Sequence, residues 1–226
     1  MKFLILADVH GDFLKLSQIM KKEKGKYDAI IAPGDFTDMH DIPDGFTQLE
    51  IAEIVICRMM SSKKPVFAVP GNQDPYGIME IFKDYGINIH ADSKIIDGLP
   101  IMGWGGAMTP FDTRFEPTEE ETKKYINETY KEMNNEKFIL VVHNPPYNTK
   151  LDMVTDKKHV GSRNIRNFIE RTRPVLAVSA HIHESDGDDK IGDTTLFYPG
   201  PVFQGKYGIA EINKNGKVSC ETKNVS

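Results

Sequence analysis

Cysteine is nearly missing from this sequence: among 226 residues there are two, Cys57 and Cys220. They stand far apart and belong to no paired motif, which excludes a disulfide framework and leaves any metal ligands to His, Asp and Asn. Isolated thiols suit a reducing compartment, so a cytoplasmic protein is expected. A basic excess is missing as well: 28 Lys and Arg face 33 Asp and Glu, for a net charge of −5. Proteins that wrap nucleic acid usually carry such an excess or a basic stripe, so nucleic acid is not an expected partner. No apolar run approaches the ~20 residues of a membrane-spanning helix, and the first residues show no basic flank with a small-residue cleavage site. No membrane association is expected. Repeats, low-complexity tracts and linkers are absent too. At this length one core is comfortable and two are not, so one domain over residues 1–226 is expected.

What the chain does have is a recurring junction. Lys2-Phe3-Leu4-Ile5-Leu6-Ala7 is a short apolar run that leads straight into Asp8-Val9-His10-Gly11-Asp12. Such a run suits a strand buried on both faces, and Gly11 permits the turn that follows. Asp8 and His10 then stand at the carboxyl edge of a sheet, where open α/β sheets bind ligands. Taken alone, the stretch reads equally well as a surface turn with Asp8 capping the next helix.

The junction returns along the chain. Asp28–Ala32 ends in Pro33-Gly34-Asp35, Pro65–Val69 in Pro70-Gly71-Asn72-Gln73, Phe138–Val142 in His143, and Val175–Ser179 in Ala180-His181-Ile182-His183. Between these runs, apolar residues at helical spacing mark helices: Phe13, Leu16, Ile19 and Met20 after an Asp12 cap; Ala52, Val55, Ile56 and Met59; Ile78, Ile81 and Phe82; Ile126, Tyr130 and Met133 behind a Thr118/Glu121 capping box; and Ile165, Phe168 and Ile169. The glutamates at 119–121 fit the dipole of a first helical turn and call for no further role. Residues 87–106 read as short strands and 191–222 as antiparallel hairpins, with Asn213-Lys214-Asn215-Gly216 a strong turn signal. Five apolar runs ending in side chains able to ligate metal are hard to explain as satisfied core or surface residues. If the strands share one sheet system, their ends converge on one patch.

The ordered set Asp8-Val9-His10, Gly34-Asp35, Gly71-Asn72, Val142-His143 and His181-Ile182-His183 resembles the calcineurin-like metallophosphoesterases. The resemblance runs from residue 4 to about 205. It implies an α/β fold, a four-layer αββα sandwich with two mixed β-sheets flanked by helices. It also implies two divalent metal ions, with Asp8, His10, Asp35 and His183 holding one and Asp35, Asn72, His143 and His181 the other. Asp35 would bridge them, a role suited to a carboxylate with two oxygens. Mn²⁺ is the expected ion, with Fe, Ni²⁺, Co²⁺ and Zn²⁺ compatible with the same ligands. A hydroxide bridging the metals would attack phosphorus in line, while Asn72 helps to neutralise the phosphoryl oxygens.

Two positions depart from the family's pattern. Many relatives carry histidine after Gly-Asn, where it is thought to protonate the leaving oxygen; here it is Gln73. An amide cannot act as a general acid near neutral pH, so good leaving groups such as aryl phosphodiesters are favoured. His10 is one substitute acid and His159 a weaker one. The second departure is Ala180, where relatives usually have glycine; its methyl is tolerable if the backbone there is extended. His40 is a candidate pocket residue, and Tyr147, in a proline-stiffened loop, a candidate wall that stacks on a substrate ring. His40, His90 and His159 read first as surface residues. Asp186, Asp188 and Asp189 read as a solvated hairpin tip rather than a calcium site.

The expected function is therefore a metal-dependent phosphoesterase, foremost a phosphodiesterase on small substrates, with Asn72, His10 and Gln73 as the catalytic candidates. Two readings stand beside it: a nuclease, and a scaffold that keeps this fold for protein binding, as a retromer subunit does. The complete ligand set favours the enzyme.

Overall fold

The computed structural model describes residues 1–133 and 137–225. The first half of the chain forms β1 (Lys2–Ile5), α1 (Phe13–Lys22), β2 (Ala29–Ala32), α2 (Gln48–Met60), β3 (Val66–Ala68), α3 (Ile78–Asp84), β4 (Asp92–Ile96) and β5 (Leu99–Trp104). The second half forms α4 (Glu119–Met133), β6 (Ile139–Val142), α5 (Arg163–Thr172), β7 (Leu176–Val178), β8 (Gly187–Ile191), β9 (Thr194–Tyr198), β10 (Lys206–Ile212) and β11 (Val218–Asn224). One sheet runs β11-β10-β1-β2-β3 and the other β4-β5-β6-β7-β9-β8. Consecutive strands are parallel in each, β1-β2-β3 in the first and β5-β6-β7-β9 in the second. Antiparallel partners at the flanks make both sheets mixed.

Strand alternation sorts the core into layers. Phe3, Ile5, Ala29, Ile31, Phe67 and Val69 of the first sheet meet Ile101, Ile139, Val141, Leu176, Val178 and Phe197 of the second in one buried cluster between the sheets. The alternate residues face outward. Leu4, Ile30, Val66 and Ala68 pack under α1, α2 and α3, with Leu16, Ile19, Val55, Ile56, Met59 and Phe82. Met102, Leu140, Val142, Ala177 and Leu196 pack under α4 and α5, with Ile126, Ile165, Phe168 and Ile169. The order is thus helix, sheet, sheet, helix. Strands apolar on both faces produce the continuous runs seen in the sequence.

The helix starts follow their caps. Asp12 accepts from the Lys15 N–H at 2.8 Å, and Thr47 and Glu50 form a reciprocal box at the start of α2. Thr118 and Glu121 do the same for α4. Glu119 has more to do than favour a helix dipole. Its carboxylate accepts from Ser162 Oγ (3.0 Å) and from the N–H groups of Arg163 (2.9 Å) and Asn164 (2.9 Å). It therefore satisfies the first turn of α5 and joins the two helices.

Several expectations need correction. Asp188 and Asp189 lie on β8, not at a hairpin tip. Asp189 accepts from the Lys150 N–H and Asp186 pairs with Lys206 at 2.6 Å. Strand β9 is parallel to β7 as well as antiparallel to β8, so the C-terminal region is more than hairpins. His90 is no surface residue: its ring stacks on Trp104 at 4.6 Å and its Nδ1 accepts from the Gly105 N–H at 2.8 Å. Burial pushes its pKa down to about 4. Tyr147 has its face taken by the Arg163 guanidinium, 3.9 Å from the ring centre. One face of the ring is thus covered from within the fold, and Tyr147 does not line the cleft described below.

Two measurements follow. Glu119→Ala is expected to lower stability by about 1–2 kcal/mol in urea denaturation, as for loss of a helix cap, while Glu120→Ala stays within about 0.5 kcal/mol of wild type. For His90, the native pKa of about 4 lies below the ordinary value of 6.5. The unfolded chain then binds more protons in between. Stability from this group is complete above pH 6.5 and is lost as the pH falls toward 4. His90→Asn, which keeps an acceptor for Gly105, flattens the decline across that window; an unchanged slope counts against the assignment.

Candidate metal centre

Each candidate side chain sits just beyond the carboxyl end of a parallel strand. Asp8 and His10 follow β1, Asp35 follows β2, Asn72 and Gln73 follow β3, His143 follows β6, and His181 and His183 follow β7. The turns that present them are tight. Asp8 (φ 49°), His10 (φ 46°), Asp35 (φ 51°) and His181 (φ 78°) all adopt left-handed backbone, which non-glycine residues seldom do outside sites that need it. The left-handed turn comes at His181 and not at Ala180, whose methyl is accommodated and fully buried.

Two glycines explain why Gly-Asp and Gly-Asn occur as pairs. A Cβ at Gly71 would overlap the carboxylate and backbone nitrogen of Asp35. A Cβ at Gly34 would come within 2.6 Å of His143 Nδ1 and of the Gly71 backbone. Only glycine lets the turn after β3 lie against the turn after β2. Asp74 fastens the two: its carboxylate accepts from Thr37 N–H (3.1 Å), Thr37 Oγ1 (3.1 Å) and Gly71 N–H (2.8 Å). Burial, with Asp35 nearby, pushes its pKa up to about 7.

The side chains gather into two groups that share Asp35. Ligand atoms of Asp8, His10, Asp35 and His183 lie within 4.8 Å of one another, and so do those of Asp35, His143 and His181. Asp35 Oδ2 is 3.6 Å from His10 Nε2 and 3.4 Å from His143 Nε2, while Oδ1 accepts from the Gln73 N–H at 2.9 Å. Asn72 Oδ1 stands 2.9 Å from His143 Nε2, which brings it into the second group. His143 and His181 rings are 5.1 Å apart.

The donor set asks for a cation. His143 Nδ1 is 2.8 Å from the Pro33 carbonyl, an acceptor only, so Nδ1 carries a proton. In the neutral ring, Nε2 then has a lone pair facing Asn72 Oδ1 and Asp35 Oδ2, and three acceptors meet with no hydrogen between them. Burial disfavours a charged His143, but the Asp35 carboxylate outweighs it and holds the pKa up at about 9. The reciprocal effect of His143 and His10, with the Gln73 N–H, keeps Asp35 well below the usual carboxylate range against its burial. His181 is pushed down to about 3, by burial and then by the charge on His143, and so offers a lone pair. Both ring nitrogens of His10 and Nε2 of His183 are buried without a hydrogen bond. A divalent ion in each group would take the His143, His181 and His183 lone pairs and one of the two His10 nitrogens.

Sequence reasoning missed four neighbours. Tyr198 OH donates to Asp8 Oδ2 at 2.6 Å from 190 residues away. Phe203 sets its ring edge-on to His10 and His183, at 5.2 and 5.0 Å. Asp74 and Thr113, whose Oγ1 accepts from Asn72 Nδ2 at 3.2 Å, complete the list. Of these, only Asp74 carried a sequence signal, standing beside Gln73. A cleft of about 630 Å³ opens over the site, lined among others by His10, Asp38, Asp41, Gln73, His183 and Phe203. His40 is exposed and does not line it. His159 is held by Asp152 at 2.7 Å in the loop after β6.

Comparison with known proteins agrees with this architecture. Residues 1–185 match the family model described as calcineurin-like phosphoesterase. A protein of Methanocaldococcus jannaschii, described as uncharacterized, is 34% identical over 221 residues, 95% of this chain and 94% of that one. One solved structure superimposes with a TM-score of 0.77 at 18% identity, over 97% of this chain and 98% of that one. Another, from Thermus thermophilus, gives 0.72 at 18% identity over 99% and 98%. At such identities the two structures bear on the fold alone.

The packing of the two turns is directly testable. Gly71→Ala forces Asp35 and its turn to shift, with an expected loss of about 1–3 kcal/mol in urea denaturation. Wild-type stability in that variant would contradict the close approach.

Proposed function

The chain belongs to the calcineurin-like phosphoesterase family, and from that premise we propose that it is a binuclear metal-dependent phosphodiesterase acting on small phosphate esters. The observation that carries the reading is the sharing of Asp35 by two ligand groups. In this reading Asp8, His10, Asp35 and His183 hold one divalent ion, and Asp35, Asn72, His143 and His181 the other, with Mn²⁺ as the first candidate. Such a pair supplies Lewis acidity and a nucleophile generated from water near neutral pH.

The chain's own residues do the rest. Asp35 is kept ionised between two imidazoles, so one carboxylate serves both groups. Tyr198 and the His181 N–H orient Asp8. Pro33 fixes the His143 tautomer so that Nε2 faces inward. Gln73 lines the cleft, and its Oε1 accepts from the Met39 N–H at 3.4 Å, which leaves its NH₂ as a donor to a substrate oxygen. That amide has no proton to give up, so esters whose leaving groups depart unprotonated are preferred. His10 lines the same cleft, with its Nδ1 3.4 Å from Asp38 Oδ2, and is the substitute acid of this reading.

The reading treats residues 1–226 as one domain at work in the cytoplasm. The scarcity of cysteine supports the compartment. The acidic balance supports small substrates over long nucleic acid, and Asp38 and Asp41 at the cleft add to it.

Protein stripped of metal is expected to be inactive on aryl phosphodiesters, and Mn²⁺ to restore activity with about two ions bound per chain. Asp35→Asn should retain less than about a hundredth of wild-type turnover, a greater loss than the ~10–100-fold typical of groups behind the ligands. Fewer than one ion per chain after reconstitution would favour the scaffold instead. Gln73→His is expected to raise turnover on alkyl esters by up to about 10²-fold and on aryl esters much less.

A further inference from the structure

Asn72 poses a question that the ligand set leaves open. Its amide has an acceptor end and a donor end of nearly the same shape, and only the oxygen can ligate a metal. Something must decide which end faces inward. Asn72 is almost fully buried, so solvent does not decide it.

The loop between β5 and α4 contains the answer. Thr113 Oγ1 donates to Glu116 Oε1 at 2.5 Å. The same oxygen takes the Thr113 N–H at 2.8 Å and the Thr109 hydroxyl at 2.5 Å. A carboxylate is an acceptor only, and a threonine hydroxyl has one hydrogen. With that hydrogen given to Glu116, Thr113 Oγ1 has only lone pairs to offer Asn72. The NH₂ end can sit there, and Nδ2 does, at 3.2 Å. A flipped amide would set oxygen against oxygen. The backbone adds a second hold: the Arg114 and Phe115 N–H groups donate to the Asn72 carbonyl, at 2.8 and 3.2 Å. Glu116 is itself kept charged, because the Thr109 and Thr113 hydrogen bonds outweigh its burial.

We propose that Thr113 and Glu116 are positioning residues that fix the polarity of the Asn72 amide, so that Oδ1 and not Nδ2 faces His143 and Asp35. The consequence for metal binding rests on the proposed binuclear centre; the hydrogen-bond relay itself does not. Neither residue lines the cleft, and both lie on a loop outside the recurring strand-end motifs.

The test uses Thr113→Val, close in shape but without the hydroxyl, with Thr113→Ser as the rescue. In metal-free protein, the Asn72 side-chain amide protons should exchange slowly with solvent in the wild type and in Thr113→Ser. They should exchange at least tenfold faster in Thr113→Val. In a Mn²⁺ titration, Thr113→Val should weaken one of two sites by about 10–100-fold and leave the other unchanged, with Thr113→Ser close to wild type. Glu116→Gln, which can donate to Thr113 and free its hydroxyl hydrogen for Asn72, should weaken the same site. Thr113→Val with wild-type exchange and wild-type Mn²⁺ affinities overturns the proposal. So does equal weakening of both sites, which marks general damage to the fold. If the wild type binds no pair of Mn²⁺ ions, the binuclear reading fails, and the exchange measurement still decides the relay.

Discussion

Two turns from different crossovers lie against each other with no room for a methyl group between them. Gly34 and Gly71 make that possible, and Asp74 ties the turns together through Thr37 and Gly71. Everything at the centre of the site depends on this contact. It sets the Asp35 carboxylate over the Gln73 N–H and between His10 and His143. The two sheets each contribute side chains to the two candidate groups, and Asp35 belongs to both.

The electrostatics follow from that geometry. Carboxylates and imidazole lone pairs are brought together mostly out of water, at the floor of an open cleft, an arrangement that is unfavourable unless a positive charge joins it. A proton on His143 is a partial answer. It leaves His10 and His183 without partners, whereas two divalent ions would engage one nitrogen of each and leave His10 Nδ1 toward Asp38. The same low-dielectric surroundings make the outer hydrogen bonds matter. Tyr198 on Asp8, Pro33 on His143 and Thr113 on Asn72 each leave one atom of the side chain facing inward.

Much of this was legible in the sequence because parallel strands buried on both faces write themselves as apolar runs, and the residues after them must stand at one edge. Asp8, His10, Asp35, Asn72, His143, His181 and His183 were found that way. The supporting residues were not, for a physical reason. Tyr198 meets Asp8 across 190 positions, and a tyrosine at the end of a strand looks like any core aromatic. Thr113 and Glu116 sit in a loop whose composition is ordinary for loops. His90 was misread because stacking on Trp104 depends on tertiary neighbours that no local pattern records. Glu119 fits its own helix dipole so well that its service to α5 left no trace.

The left-handed backbone at Asp8, His10, Asp35 and His181 has a bearing on evolution. A side chain in this conformation costs roughly 1–2 kcal/mol in general and less for aspartate, whose short polar chain can hydrogen-bond locally. A descendant relieved of any task at the site would relieve this backbone by drifting to glycine at these positions, giving up at Asp8 and Asp35 the hydrogen bonds from Tyr198 and Gln73. Sites that trade stability for activity resist such drift only under selection. The chain's present residues are those of a lineage in which that drift has not occurred.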